Sequence, residues 1–328
     1  MFDKIYEKIK EYDKIVLARH VGPDPDAMAS TIGLRDSIKL TFPKKKVYAI
    51  GSGTQKFTYF GKLDKVDDIS DTLLIVLDTP DIRRIDGAKL EDYKEVIKID
   101  HHPFVDKFGE LEFIDDTSSS AAELVLEFIN NTPLKMNKEI AGILYIGIVG
   151  DTNRFMFNVS NSRTFKNVTD LLQNYKLEVN KLYENLYLRP IHEVKFEGYI
   201  GLNLTFTKNG VAYIKFTDSL LKEFHVDAAS PGNMIGNFNF MEGVYVWVFF
   251  TEDVKNENIR VSARSRGPII NEILTHYNGG GHKYASGARI KTMEEADLII
   301  KDFDLLCKKY KEENNLENWK CKIRYCCC

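Results

Sequence analysis

Cysteine is scarce and poorly distributed for a disulfide framework. Of five, only Cys307 lies outside the last eight residues, where Cys321, Cys326, Cys327 and Cys328 crowd together. Bridges that staple a small secreted fold are spread through the chain, so this pattern excludes a disulfide scaffold. The spacing fits no common zinc pattern, and Tyr325 removes the prenylation pattern at the C-terminus. Long apolar runs are also missing. The longest of note, Val244 to Phe250, has seven residues, against the ~20 that span a bilayer. Met1 to Lys10 alternates charged and apolar residues without the apolar centre of a signal peptide. A cytoplasmic protein without a membrane partner is expected. Finally, there is no basic excess: 45 Lys and Arg stand against 48 Asp and Glu, for a net charge of -3. Stable binding of duplex DNA is therefore not expected. A small anionic substrate remains open, because a pocket needs only a few local cations.

What is present is ample core material. The 328 residues are 44% hydrophobic and 28% charged, enough for about two self-sufficient domains. The first half alternates short apolar runs with amphipathic stretches, the pattern of a mainly parallel α/β sheet with flanking helices. Strands are predicted at Ile15 to Ala18, Val47 to Ile50, Leu73 to Leu77 and Val96 to Ile99. Helices are predicted at Ala27 to Leu40, Ser120 to Ile129, Lys138 to Val149 and Ser162 to Tyr175. A charged helical stretch from Leu177 to Gly201 follows. The texture then becomes that of a smaller α+β domain. It has a hairpin around Asn209-Gly210, strands at Val244 to Phe250 and Ile259 to Ala263, and helices at Ile269 to Tyr277 and Met293 to Lys309.

The His and Asp residues that directly follow predicted strands carry the chemistry. His20, Asp24 and Asp26 follow the first, Asp78 the third, and Asp100, His101 and His102 the fourth. Ligands of open parallel sheets bind outside the carboxyl ends of the strands. Three chain segments therefore deliver carboxylates and imidazoles to one rim, and Asp151, after Val149-Gly150, adds a fourth. A single Asp in such a place is usually a cap or turn residue. The whole set without a cation would leave like charges repelling at close range. Divalent ions relieve that repulsion, and mixed imidazole and carboxylate donors suit Mn²⁺, Zn²⁺, Fe²⁺ or Co²⁺ better than Mg²⁺ or Ca²⁺.

The run His20-Val21-Gly22-Pro23-Asp24-Pro25-Asp26-Ala27 resembles the first motif of the DHH phosphoesterase superfamily. Asp78-Thr79-Pro80-Asp81 resembles its second, Asp100-His101-His102 its third, and Gly147 to Thr152 its fourth. Asp116 to Ser120 is similar to a further family stretch. Gly279-Gly280-Gly281-His282-Lys283-Tyr284-Ala285-Ser286-Gly287 is similar to the motif of the DHH-associated domain. Length and the glycine-rich motif resemble the bacterial bifunctional oligoribonuclease and pAp (3'-phosphoadenosine 5'-phosphate) phosphatase group.

The resemblance implies an active site in a cleft between a catalytic domain (1–176) and a substrate-binding domain (201–310); the charged helical stretch between them is expected as a linker (177–200), and the polar end as a flexible tail (311–328). It implies two Mn²⁺ ions, one on His20, Asp24 and Asp78, the other on Asp26, Asp78, His101 and Asp151. Asp100 is implied as a partner orienting a ligand, and His102 as the imidazole facing the scissile phosphate. Arg264, Gly279, Gly280, Gly281, His282 and Ser286 are implied as substrate contacts, and a homodimer is compatible with it. Expected substrates are short oligoribonucleotides, pAp or both. Alternatives are a cyclic or linear dinucleotide phosphodiesterase and, less favoured, a catalytically retired nucleotide-binding module. Pro25, Ala29 and Asn278 stand where many members carry Gly, and none of them removes a candidate ligand.

Overall fold

Five consecutive β-capable residues, Leu73 to Leu77, form a strand with every residue buried, as expected at the centre of a sheet covered on both faces. The computed structural model describes residues 1–53, 55–157 and 159–316. Internal packing divides the chain into two units, Met1–Leu188 and Arg189–Cys328.

Among the described residues, the first unit holds strands β1 (Lys14–Ala18), β2 (Lys46–Ala49), β3 (Leu73–Leu77), β4 (Glu95–Asp100) and β5 (Leu111–Ile114), in the order β2-β1-β3-β4-β5. All pairings are parallel. Its helices are α1 (Phe2–Glu11), α2 (Pro25–Thr41), α3 (Ala121–Asn130), α4 (Lys138–Asp151), α5 (Ser162–Tyr175) and α6 (Val179–Tyr187). Strand alternation splits the core in two. Ile15, Leu17, Ile75, Leu77, Ile97 and Ile99 face a layer that includes α2, α3 and α4, whereas Val16, Ala18, Leu74, Val76 and Val96 face a layer of loop side chains such as Val66, Ile85 and Tyr93. Helix α2 lies in the middle of its layer, so it is buried nearly all round and rich in small residues.

The four predicted strands and four predicted helices of this half form close to their expected places. Two elements were not expected. Helix α1 buries Ile5 and Ile9, and β5 is a four-residue, half-buried edge strand that leaves almost no pattern. The expected continuous stretch from Leu177 to Gly201 is instead two helices, α6 and α7 (Ile191–Asn203). Pro190 has no N–H to donate and pushes Arg189 out of helical geometry, so the break falls there.

The second unit has a mixed sheet in the order β10-β11-β9-β8-β7-β6, built from β6 (Thr205–Phe206), β7 (Val211–Phe216), β8 (Val246–Asp253), β9 (Asn258–Ser265), β10 (Gly280–His282) and β11 (Ala285–Ile290). Only β7 and β8 pair in parallel. One face packs on α11 (Met293–Glu313) through Ile299, Phe303 and Cys307, and the other on α7 through Phe196 and Ile200. Short helices α8 (Asp218–Glu223), α9 (Ser230–Met234) and α10 (Asn271–Thr275) fill the connections. The Asn209-Gly210 hairpin forms, with Gly210 at φ +101°. Helix α11 continues to Glu313, into the stretch expected to be a flexible tail. The rest of that expectation from residue 317, including the clustered cysteines, lies outside the described residues.

Candidate active site and metal centre

The strand order reverses between β1 and β3, and the crevice of such a sheet opens there, beyond the carboxyl ends. His20 stands two residues past β1, Asp78 directly follows β3, and Asp100 ends β4. Asp24 and Asp26 enter from the start of α2, and Asp151 from the end of α4. All eight His and Asp residues singled out in the first half meet at this rim.

One donor set is His20, Asp24 and Asp78, with ligating atoms within 4.8 Å of one another. The His20 ring is 5% exposed, and its Nδ1 lies 3.0 Å from the Val21 carbonyl. That contact, with the Arg84 guanidinium 3.3 Å from the same nitrogen, orients the ring and turns Nε2 toward Asp78 (3.4 Å) and Asp24 (3.8 Å). Asp24 is the N-cap of α2: Oδ1 accepts from the Ala27 amide at 2.9 Å while Oδ2 faces His20. Pro25 occupies the first helical turn, where its missing N–H costs nothing, so this departure from the family pattern suits a helix start.

Asp26, His101 and Asp151 form a second set. His101 Nε2 faces Asp151 (3.4 Å), Asp78 (3.5 Å) and Asp26 (3.8 Å) together. Asp26 is fixed by the start of α3, accepting from the Ala121 and Ala122 amides at 2.7 and 2.8 Å. The Asp116 to Ser120 stretch leads into that helix start, which accounts for its place among the motifs. The fourth motif works by close approach. A Cβ on Gly147 would lie 2.6 Å from the Cβ atoms of both Ala29 and Ala122, and one on Gly150 would strike Pro25 at 2.8 Å. Helix α4 can thus lie against α2 and deliver Asp151. Gly147→Ala should therefore overpack this contact at a cost of about 1–3 kcal/mol. Ala29→Gly should recover part of the loss, and both effects are read from urea unfolding of the single and double variants.

Asp78 belongs to the first set, its Oδ1 lies 3.5 Å from His101 of the second, and it forms a third set with His101 and His102. It adopts φ +51°, a left-handed conformation tolerated by Asp. Its Oδ1 is buried and accepts no hydrogen bond among the described residues. Burial opposes its charge, but His101, His20 and His102 hold its pKa well below the ordinary carboxylate range. Asp26 and Asp151 go the other way: burial and repulsion from Asp78 and Asp151 push Asp26 up, and burial raises Asp151 to about 7. Burial also disfavours charge on His20, yet Asp24 and Asp78 raise it to about 10. The site is thus short of positive charge, with protons standing in for cations. Its nitrogen and oxygen donors fit divalent transition ions.

Asp100 was expected to orient a ligand, and its bonds run to His102. Oδ1 accepts from His102 Nδ1 at 2.9 Å and from the His102 amide at 3.2 Å. This fixes the ring with Nδ1 protonated.

In the second unit, Arg264 on β9 donates to the Ala263 carbonyl at 2.9 Å. Burial lowers its pKa, and no carboxylate lies within ion-pairing reach among the described residues. The glycine-rich run, implied to contact substrate, pairs as strand β10 with β11. A Cβ at Gly279 would strike Gly287 O and Ala288, and one at Gly281, which has φ +134°, would lie 2.7 Å from Ala285 O. Gly280 has open space around its Cα and His282 is exposed. Ser286 is buried, donating to the His282 carbonyl at 2.9 Å.

Sequence reasoning missed the charged groups behind the rim. Arg19 is fully buried and reaches Asp86 (3.0 Å) and the Ser52 carbonyl (2.6 Å). Asp86 also takes the Ser52 amide at 2.6 Å, so the pair ties the loops after β1 and β2 together. Lys98 lies fully buried beside Asp100. A cation within an apolar strand was the available signal.

Comparison with known proteins follows the same division. Residues 14–148 match the DHH family, N-terminal domain, and residues 209–309 match the DHHA1 domain. The bifunctional oligoribonuclease and PAP phosphatase NrnA of Bacillus subtilis is 36% identical over 315 residues, covering 94% of this chain and 100% of that protein. A probable NrnA of Streptococcus mutans is 35% identical, covering 94% and 99%. Among solved structures, an exopolyphosphatase-related protein from Bacteroides fragilis has a TM-score of 0.85 at 25% identity, covering 96% of this chain and 97% of that one. The chain therefore belongs to the DHH family, with a DHHA1 domain in its second unit, alongside the NrnA proteins.

Proposed function

We propose that this phosphoester hydrolase uses two Mn²⁺ ions to cut short oligoribonucleotides to mononucleotides and to convert pAp to AMP and phosphate. The observation that carries the reading is the place of Asp78, facing His20 of one donor set and His101 of the other. The relatives named oligoribonuclease and PAP phosphatase support the choice of substrates.

His20, Asp24 and Asp78 would hold one ion, and Asp26, Asp78, His101 and Asp151 the other. Bound there, the ions supply Lewis acidity toward the phosphoryl oxygens and lower the pKa of water. The chain's own groups do the rest. Asp100 holds the His102 Nδ1 proton, and His102 Nε2 would stabilise a phosphoryl oxygen or give a proton to the departing ester oxygen. Arg264 offers a guanidinium without a carboxylate partner to a nucleotide phosphate, with Gly279, Gly280, Gly281 and His282 as further contacts and Ser286 bracing the His282 carbonyl. Arg264→Ala should raise KM for a phosphorylated nucleotide about 10- to 100-fold, the loss of one charge-assisted bond of about 1.5–3 kcal/mol. A neutral ester should be much less affected, and an equal effect on both would count against phosphate contact.

The reading is tested by product analysis with Mn²⁺ on pAp, a diribonucleotide, a pentaribonucleotide, cyclic di-AMP and pyrophosphate. AMP and phosphate from pAp and mononucleotides from the RNAs are expected, with pyrophosphate untouched. Turnover of the cyclic compound alone would identify a signalling-dinucleotide phosphodiesterase instead, and silence on all five would overturn the reading.

A further inference from the structure

Strand β4 carries a lysine where an apolar residue would fill the space. Lys98 lies on the same side of the strand as Val96 and Asp100, and its side chain is fully buried. Burying an ammonium costs several kcal/mol unless it is paired. The Lys98 Nζ lies 3.1 Å from the Asp106 carbonyl, 3.3 Å from the Pro80 carbonyl and 3.7 Å from Asp100 Oδ2. The faces of Phe108 and Phe104 stand 4.6 and 5.9 Å from it. Carbonyls and rings offer only partial charges. Among the described residues, the full negative charge within ion-pairing distance is Asp100.

Asp100 is in the reciprocal position. It is 1% exposed, its Oδ1 is committed to His102, and its Oδ2 accepts no hydrogen bond among the described residues. Lys98 also joins two loops, because Pro80 follows Asp78 on the β3 side and Asp106 follows His102 on the β4 side. The Asp106 amide itself donates to the Pro80 carbonyl at 3.2 Å.

We propose that Lys98 is a positioning residue for the reaction: its ammonium, 3.7 Å from Oδ2, balances the charge of Asp100, so that Oδ1 stays on His102 Nδ1 and the two loops keep their places at one rim. This rests on the role given to His102 above. Lys98 touches neither substrate nor ion in this account and acts only through Asp100.

The test is a kinetic cycle of wild type, Lys98→Met, His102→Ala and the double variant, on the Mn²⁺-loaded full chain with pAp. His102→Ala alone decides the role of His102: an unchanged kcat would remove that role before Lys98 enters. Given a loss there, Lys98→Met is expected to lower kcat about 10- to 100-fold, as loss of a supporting partner does, with KM and bound Mn²⁺ nearly unchanged. In the His102→Ala background the same change should cost almost nothing further, because its target is gone. A double variant whose loss is the product of the two single losses would overturn the proposal, as would wild-type kcat in Lys98→Met. Should the methionine variant fail to fold, Lys98→Arg goes through the same cycle. A loss that vanishes without His102 supports the proposal, and a loss that persists overturns it.

Discussion

Asp78→Asn should reduce Mn²⁺-dependent hydrolysis by about a thousandfold or more, the scale set by the several kcal/mol that bound ions contribute to a phosphoryl transition state. Asparagine is the informative replacement. It keeps the volume and tolerates the left-handed backbone at φ +51°, where alanine would add strain. Only the charge and one donor oxygen are lost. Since Asp78 faces His20 on one side and His101 on the other, one substitution should weaken both donor sets. Bound Mn²⁺, measured by elemental analysis after gel filtration, should fall together with kcat. A variant that keeps wild-type metal content and turns over within tenfold of wild type would mean that Asp78 is not the shared ligand.

His102→Ala should separate turnover from metal uptake. Its kcat should fall about 10²- to 10⁴-fold, the usual range for loss of a positioned acid or base, while bound Mn²⁺ stays near the wild-type level. The separation follows from geometry. His102 lies within ligating distance of Asp78, its Nδ1 3.4 Å from Oδ1, yet that nitrogen is committed to Asp100 at 2.9 Å. His101 instead turns one nitrogen to three carboxylates, so His101→Ala should lose metal as well as turnover. If His102→Ala sheds Mn²⁺ as His101→Ala does, His102 is a ligand and the proposed division of labour is wrong.

The parts of this molecule that could be read in advance are those written locally. Leu73 to Leu77 is a buried strand on its face, and the Asp and His residues after strands could be placed on one rim by the rule for parallel sheets alone. Other features depend on partners far away in the chain. Asp26 is held by amides some 95 residues later, and nothing near Asp26 announces that. Gly147 is explained only by Ala29 and Ala122 across the helix contact. The β10–β11 pair was hidden because its glycines suggest a loop, whereas they are needed for close approach of the two strands. Pro190 was legible, since proline interrupts helices on general grounds. Arg19 was not, because an isolated cation in a sequence resembles a solvated one until its surroundings are seen, whereas Lys98 left one signal, its place inside an apolar strand.

Metal uptake should also depend on pH in a defined direction. His20, raised to about 10 without an ion, is protonated at neutral pH, so an incoming ion must displace that proton. Each displaced proton makes binding about tenfold tighter per unit rise in pH, up to the pKa of the group concerned. The most direct test of the two-ion account is anomalous diffraction at the manganese edge from crystals grown with Mn²⁺ at mildly alkaline pH. Two peaks are predicted, one among His20, Asp24 and Asp78 and one among Asp26, Asp78, His101 and Asp151. A single peak, or manganese bound away from Asp78, would contradict it.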